Sequence, residues 1–219
     1  MFPPTPAIVA ALLIIAGAAS VANATDAAGE GAAVQFTGRL VAELLDDGRR
    51  VRLIEKYTYV DPSGEVWEVP GGTIVDGASI PQFFWGLIGG PLEGKYRNAS
   101  VVHDFYCGEK TRDWKKVHRM FLDAMLESGV EQRLAKTMYY AVYFFGPRWE
   151  TVEAKVVSLK CPEGADVAGC EPVSSIRLTK VDLPRNRYDA SEVETDIKNI
   201  LEANPSVDEI ESMHPASGG

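Results

Sequence analysis

Histidine and cysteine are the scarce residues of this 219-residue chain, with three of each. Any histidine-based chemistry therefore rests on His103, His118 and His214, and His214 sits in the last few residues. Three cysteines allow one disulfide and leave one thiol over. Charged side chains are missing from the first 24 residues altogether. After that segment no stretch is long and apolar enough to cross a bilayer, which takes about 20 residues. No internal repeat is present. Basic charge is also in deficit: the net charge is −9 and the pI about 4.9, which argues against a dedicated nucleic-acid binder.

What is present starts with the leader. Ile8 to Ala19 is a run of small and apolar residues, followed by Ala22-Asn23-Ala24. An apolar core followed by small residues is the pattern a signal peptidase needs. The expectation is a signal peptide over residues 1–24, cleaved after Ala24, and a secreted or periplasmic protein; an N-terminus retained as a membrane anchor is the alternative. Cys161 and Cys170 bracket a short loop with Pro162, Gly164 and Gly169, and in an oxidising compartment they can close a local disulfide. Cys107 is then left single and reads as a small buried hydrophobe, with a reactive thiol as the alternative.

Residues 25–33 form a small, polar linker. From Val34 to Val75 the pattern favours strands. Val51-Arg52-Leu53-Ile54, Tyr57-Thr58-Tyr59-Val60 and Val66-Trp67-Glu68-Val69 are β-rich. Asp61-Pro62-Ser63-Gly64 is a turn that predicts a hairpin, and Asp46-Asp47-Gly48 is a second turn signal. From Pro81 the period becomes helical. Ala99, Val102 and Tyr106 make one apolar stripe, and Val117, Met120, Phe121, Ala124 and Met125 make another. Thr111 is the expected N-cap of the second of these helices, with Asp113 in its first turn. A third helix runs from Val130 to the stop at Gly146-Pro147. The fold class is α+β: a small N-terminal antiparallel sheet, then a helical hairpin and a further helix, in one domain over residues 34–150. Residues 151–219 are acidic, with 12 acidic against 5 basic side chains from Cys161 to Gly219. They read as a loosely ordered C-terminal extension, with a short helix over 191–203.

The chemistry concentrates at His103-Asp104. A turn near Lys110 separates that helix from the one carrying His118, and the two histidines lie equally far from the turn. In a helical hairpin such residues can face each other. A pair of imidazoles beside a carboxylate can hold a divalent metal, or one histidine can activate water while its neighbours orient it. Asp104 points about 100° around the helix from His103, so the two need not serve one ligand. A hydrogen-bonded packing role for His103 is the competing expectation. The segment Asp76-Gly77-Ala78-Ser79-Ile80-Pro81 joins strands to helices and offers a carboxylate, a hydroxyl and a helix start that can hold an anion. Lys95, Arg97, Lys110, Arg112, Lys115, Lys116 and Arg119 outnumber Glu93, Asp104, Glu109 and Asp113 in residues 93–119; a solvated helix face is the first reading of such a run, and a surface for an anionic partner the other.

These same residues carry a resemblance. Asp76 to Pro81, Trp85, Tyr96, Ala99, His103-Asp104 with Tyr106, Arg112, Phe121 and Gly146…Trp149 resemble the family catalogued as domain of unknown function 1353, found in bacteria and tailed phages. The likeness covers roughly Phe36 to Trp149. That family usually has an acidic residue where this chain has His118, an exchange that implies position 118 faces His103. The His-Asp helix is also similar, more weakly, to that of the secreted phospholipase A₂ families, in which the histidine activates water and the aspartate binds calcium.

The expected function is a histidine-dependent, metal-assisted hydrolase of a lipid or cell-wall ester or amide in the cell envelope. His103, Asp104 and His118 are the expected catalytic residues. Asp104 and His118 are the expected ligands of a divalent metal, calcium or zinc. Asp76, Ser79, Tyr106 and Arg112 are the expected binding residues, and the partner is an anionic envelope lipid or cell-wall component. The alternative is a non-catalytic interaction module with a structural His-Asp polar core.

Overall fold

Short strands come first because turn residues interrupt the chain every few positions. In the computed structural model the described residues are 35–77, 80, 84–88, 92, 94–163, 166–186 and 189–213. The expected signal peptide and linker, Ser79 and His214 lie outside them. Six strands form over the first part: β1 (Gln35–Thr37), β2 (Ala42–Leu44), β3 (Val51–Leu53), β4 (Tyr57–Val60), β5 (Val66–Val69) and β6 (Ile74–Val75). They make two antiparallel sheets rather than one, with orders β1-β4-β5 and β2-β3-β6. The chain changes sheet three times, at residues 38–41, at 54–56 and after β5 at Pro70-Gly71-Gly72. There Gly71 packs so closely on the Ile54 carbonyl that a Cβ would lie 3.2 Å from it.

The β4–β5 hairpin follows from its turn. Asp61 accepts hydrogen bonds from the Ser63 and Glu65 amides at 2.9 and 3.0 Å and from the Trp67 indole at 2.9 Å. Tyr59 pairs with Trp67 across the strands. Tyr57, Tyr59, Trp67 and Val69 are all buried, so one face of the hairpin is core, as the period-2 alternation requires.

The helices are α1 (Trp85–Ile88), α2 (Arg97–Glu109), α3 (Trp114–Glu127) and α4 (Gln132–Phe145). Lys110, left-handed at φ 54°, ends α2. The cap of α3 is Asp113 rather than Thr111. Its carboxylate accepts from the Lys115 and Lys116 amides at 2.9 and 3.3 Å, and a carboxylate at that end also complements the helix dipole. Helix α4 is buried along nearly its whole length, from Ala135 to Phe145, and is the centre of the helical layer.

The C-terminal extension is more ordered than its composition suggested. Strands β7 (Trp149–Lys160) and β8 (Glu171–Asp182) form a separate two-stranded ribbon, closed at its tip by the Cys161–Cys170 disulfide. Helices α5 (Ala190–Ala203) and α6 (Val207–Glu211) follow. Their Val193, Ile200 and Ile210 join the hydrophobic core. The polar ends of α4 explain the docking. Lys136 donates to Asn204 Oδ1 at 2.8 Å, Tyr139 to Glu211 at 2.6 Å and Tyr140 to Asp196 at 2.7 Å. Buried polar groups need such partners, and the acidic helices supply them. The domain drawn at 34–150 therefore has part of its packing downstream of residue 150.

Candidate functional site: a buried histidine pair

Helix α2 turns Ala99, Val102, His103, Tyr106 and Cys107 inward, and α3 turns Val117, His118 and Phe121 towards them. His103 and His118 have no exposed surface. His103 Nε2 lies 2.8 Å from His118 Nδ1, so the two helices are joined by a hydrogen bond between imidazoles. His118 Nε2 lies 3.0 Å from the Pro147 carbonyl oxygen. The Phe121 ring stacks on His103 at 4.4 Å and the Trp114 ring meets His118 edge-on at 5.6 Å.

This chain of contacts fixes the tautomers. A carbonyl oxygen only accepts, so His118 Nε2 carries a hydrogen and donates to Pro147. Neutral His118 then has its lone pair on Nδ1, where it accepts from His103 Nε2–H. Neutral His103 is left with its lone pair on Nδ1. Burial lowers the His118 pKa to about 3, with the Arg148 charge acting in the same direction and the Pro147 bond opposing. His118 is therefore neutral at physiological pH, and the assignment is self-consistent.

Cys107 lies one turn after His103. Its Sγ is 3.6 Å from His103 Nε2 and 3.9 Å from Nδ1. His103, Cys107 and His118 offer donor atoms that all lie within 4.8 Å of one another, a group that could hold a metal ion. Two imidazole nitrogens on a tetrahedral zinc sit about 3.3 Å apart, and a nitrogen and a thiolate sulfur about 3.5 Å apart. The sulfur distance fits. The 2.8 Å nitrogen distance is that of a hydrogen bond, so a metal enters only if that bond opens by about half an ångström. Nitrogen and sulfur donors suit zinc, whereas calcium takes oxygen ligands.

The remaining expected residues do other things. Asp104 is not a member of the metal group. Its carboxylate accepts from the Asp76 and Gly77 amides at 2.9 and 3.4 Å and ties the strand-to-helix loop to α2. The Asp76 side chain turns to Arg49, 3.2 Å away at the surface. The Tyr106 hydroxyl donates to the Glu68 carbonyl at 3.2 Å and accepts from the Glu68 amide at 3.0 Å. Arg112 lies over the Trp67 ring at 4.4 Å, ion-pairs with Glu65 and donates to the Val66 carbonyl at 2.8 Å. Tyr106 and Arg112 thus strap the helical hairpin to β5. Sequence reasoning missed two participants. Cys107 was read as a packing residue in preference to a reactive thiol, and not as a metal donor. The Pro147 acceptor is a main-chain atom, and its only signal was the Gly146-Pro147 helix stop. Gly146 is required there because a Cβ would strike the Val142 carbonyl.

Residues 51–142 match the model of a family described as Protein of unknown function (DUF1353). The match covers less than half of the chain. The DUF1353 segment contains His103, Cys107 and His118; Pro147 lies just beyond it. Two curated relatives come from Sinorhizobium fredii (strain NBRC 101917 / NGR234). Uncharacterized protein y4jT is 51% identical over 110 residues, covering 50% of this chain and 32% of its own length. Uncharacterized protein y4iH is 38% identical over 157 residues, 71% of this chain and 63% of its own. The chain thus spans less than two thirds of either relative. No solved structure matches.

Proposed function

We propose that this chain is an exported cell-envelope protein whose DUF1353 segment is a histidine-dependent hydrolase of lipid or cell-wall esters or amides. The observation that carries the reading is the ordered chain from Pro147 through His118 to His103. It supports a reading in which His103 Nδ1 is the basic atom and His118 the residue that orients it. In the reaction His103 Nδ1 takes a proton from water, the hydroxide adds to the carbonyl carbon, and the same proton passes to the leaving oxygen or nitrogen. As His103 becomes cationic, its Nε2–H bond to His118 strengthens. Full burial of both rings means that substrate reaches His103 only when the shell around α2 opens. The Cys161–Cys170 disulfide and the uncharged leader support an oxidising compartment outside the cytoplasm. No described helix is long and apolar enough to cross a membrane. If a zinc ion were bound, His103, Cys107 and His118 would hold it, and it would supply an acidified water.

The test is hydrolysis of acyl esters and peptidoglycan fragments by the purified mature chain, with zinc content measured alongside. His103→Ala is expected to abolish turnover, and His118→Asn to reduce it. A second reading is favoured by the complete burial of both rings: a non-catalytic module whose histidine pair pins the hairpin. Capture of an envelope partner that survives His103→Ala, with no turnover by the wild type, establishes that reading instead.

A further inference from the structure

A cavity of about 320 Å³ opens between the end of α2, the start of β7 and the segment after β8. Its lining includes Cys107, Lys110, Pro147, Arg148, Asp182 and Arg185, three cations against one anion on a chain of net charge −9. Lys110 is neutralised by Asp182 at 2.6 Å. Arg148 is committed on one side only: its Nη2 donates to the Pro184 carbonyl at 2.6 Å and to Asn186 Oδ1 at 2.7 Å. Its Nε is buried with no hydrogen-bond partner. Arg185 makes no ion pair with any described residue. Orphaned buried donors are rare in folded proteins and call for an acceptor.

We infer that this cavity binds an oxyanion of the phosphate type, with the Arg148 and Arg185 guanidinium groups that line it as its donors. A guanidinium fork matches phosphate geometry and stays charged at all working pH values. The volume is at the lower end of the range for small-molecule sites and exceeds what a bare phosphate fills, so a phosphomonoester or a phospholipid headgroup is the fitting ligand class. The cavity borders the histidine relay through Cys107 and Pro147, but Arg148 and Arg185 make no bond of that relay, so a failure of either reading leaves the other standing.

The test is calorimetric titration of the full chain with inorganic phosphate against chloride at equal ionic strength, since exposed charges are screened in both. Saturable binding of phosphate is expected, weakened roughly tenfold or more by Arg185→Gln, as for loss of one charge-assisted bond. Arg185 is exposed and partnerless among the described residues, so this variant folds. Asp182→Asn frees Lys110 and is expected to tighten binding several-fold. Vesicles of phosphatidylglycerol against phosphatidylcholine then identify the source. Vesicle binding displaced by phosphate points to a headgroup, and phosphate binding without vesicle binding points to a soluble phosphomonoester. No saturable phosphate binding, or binding indifferent to both substitutions, overturns the inference.

Discussion

Acidification is expected to destabilise the fold through His118 in a way that one substitution removes. The folded pKa of this histidine is about 3, against 6.5 for the exposed side chain. Its depressed value means that the unfolded chain binds the proton first. The contribution is therefore fully present above pH 6.5 and is lost as pH falls towards 3. Each unit is worth about 1.36 kcal/mol, so the full loss is on the order of 4–5 kcal/mol and the loss between pH 7 and pH 5 roughly 2 kcal/mol. The second figure is robust, because it depends on the unfolded value and holds for any folded value below about 4. Asn at 118 retains an acceptor for His103 Nε2–H and does not titrate. Urea unfolding of wild type and His118→Asn at pH 7 and pH 5 isolates the effect, since carboxylates titrate in both proteins. The stability difference between them is expected to move by roughly 2 kcal/mol in favour of the variant at pH 5. A difference that stays constant over that range refutes the neutral, buried assignment.

Further outcomes follow from the same contacts. His118→Gln keeps a donor for Pro147 but orphans His103 Nε2–H, so it is expected to cost about 1–3 kcal/mol more than His118→Asn by chemical denaturation; equal costs contradict the tautomers. Asp104→Ala removes the acceptor of the Asp76 and Gly77 amides. It is expected to lower stability by about 1.5–3 kcal/mol and to speed hydrogen exchange at those two amides. Arg112→Lys keeps the charge but not the planar stack on Trp67 or the reach to Val66, with an expected loss of roughly 1–3 kcal/mol in thermal or urea unfolding. Replacing Cys161 and Cys170 by serine opens a loop of nine residues' separation. Faster hydrogen exchange is expected in β7 and β8, with α2 to α4 unchanged.

The legible parts of the structure were those encoded locally. The Asp61 turn, the alternation of Tyr57 and Tyr59, and the stripes of α2 and α3 all depend on neighbours within a few positions. The facing of His103 and His118 was also readable, because a short turn and equal spacing constrain two helices strongly. Asp104 was misjudged as a partner of the same chemistry because spacing gives its angle around the helix and not what waits there. The Pro147 carbonyl was invisible because every residue has one, and only the path of the chain after α4 aims it at His118. The helix over 191–203 was legible and appears as α5, but the docking of α5 and α6 on the core was missed because their apolar residues are few. Their docking uses the hydroxyls of Tyr139 and Tyr140 and the ammonium of Lys136, groups that sequence alone assigns to no partner.

His103 and Asp104 are neighbours in the chain and occupy different sides of α2, one bonded to α3 and the other to the loop at Asp76. A rod fixed by a single pin can swivel, whereas pins at two azimuths set both its rotation and its advance. Sliding α2 by one residue would turn it by about 100° and break both attachments together. The dipeptide thus indexes the helix in its seat, and a chemist replacing either residue should expect the other's contact to shift with it.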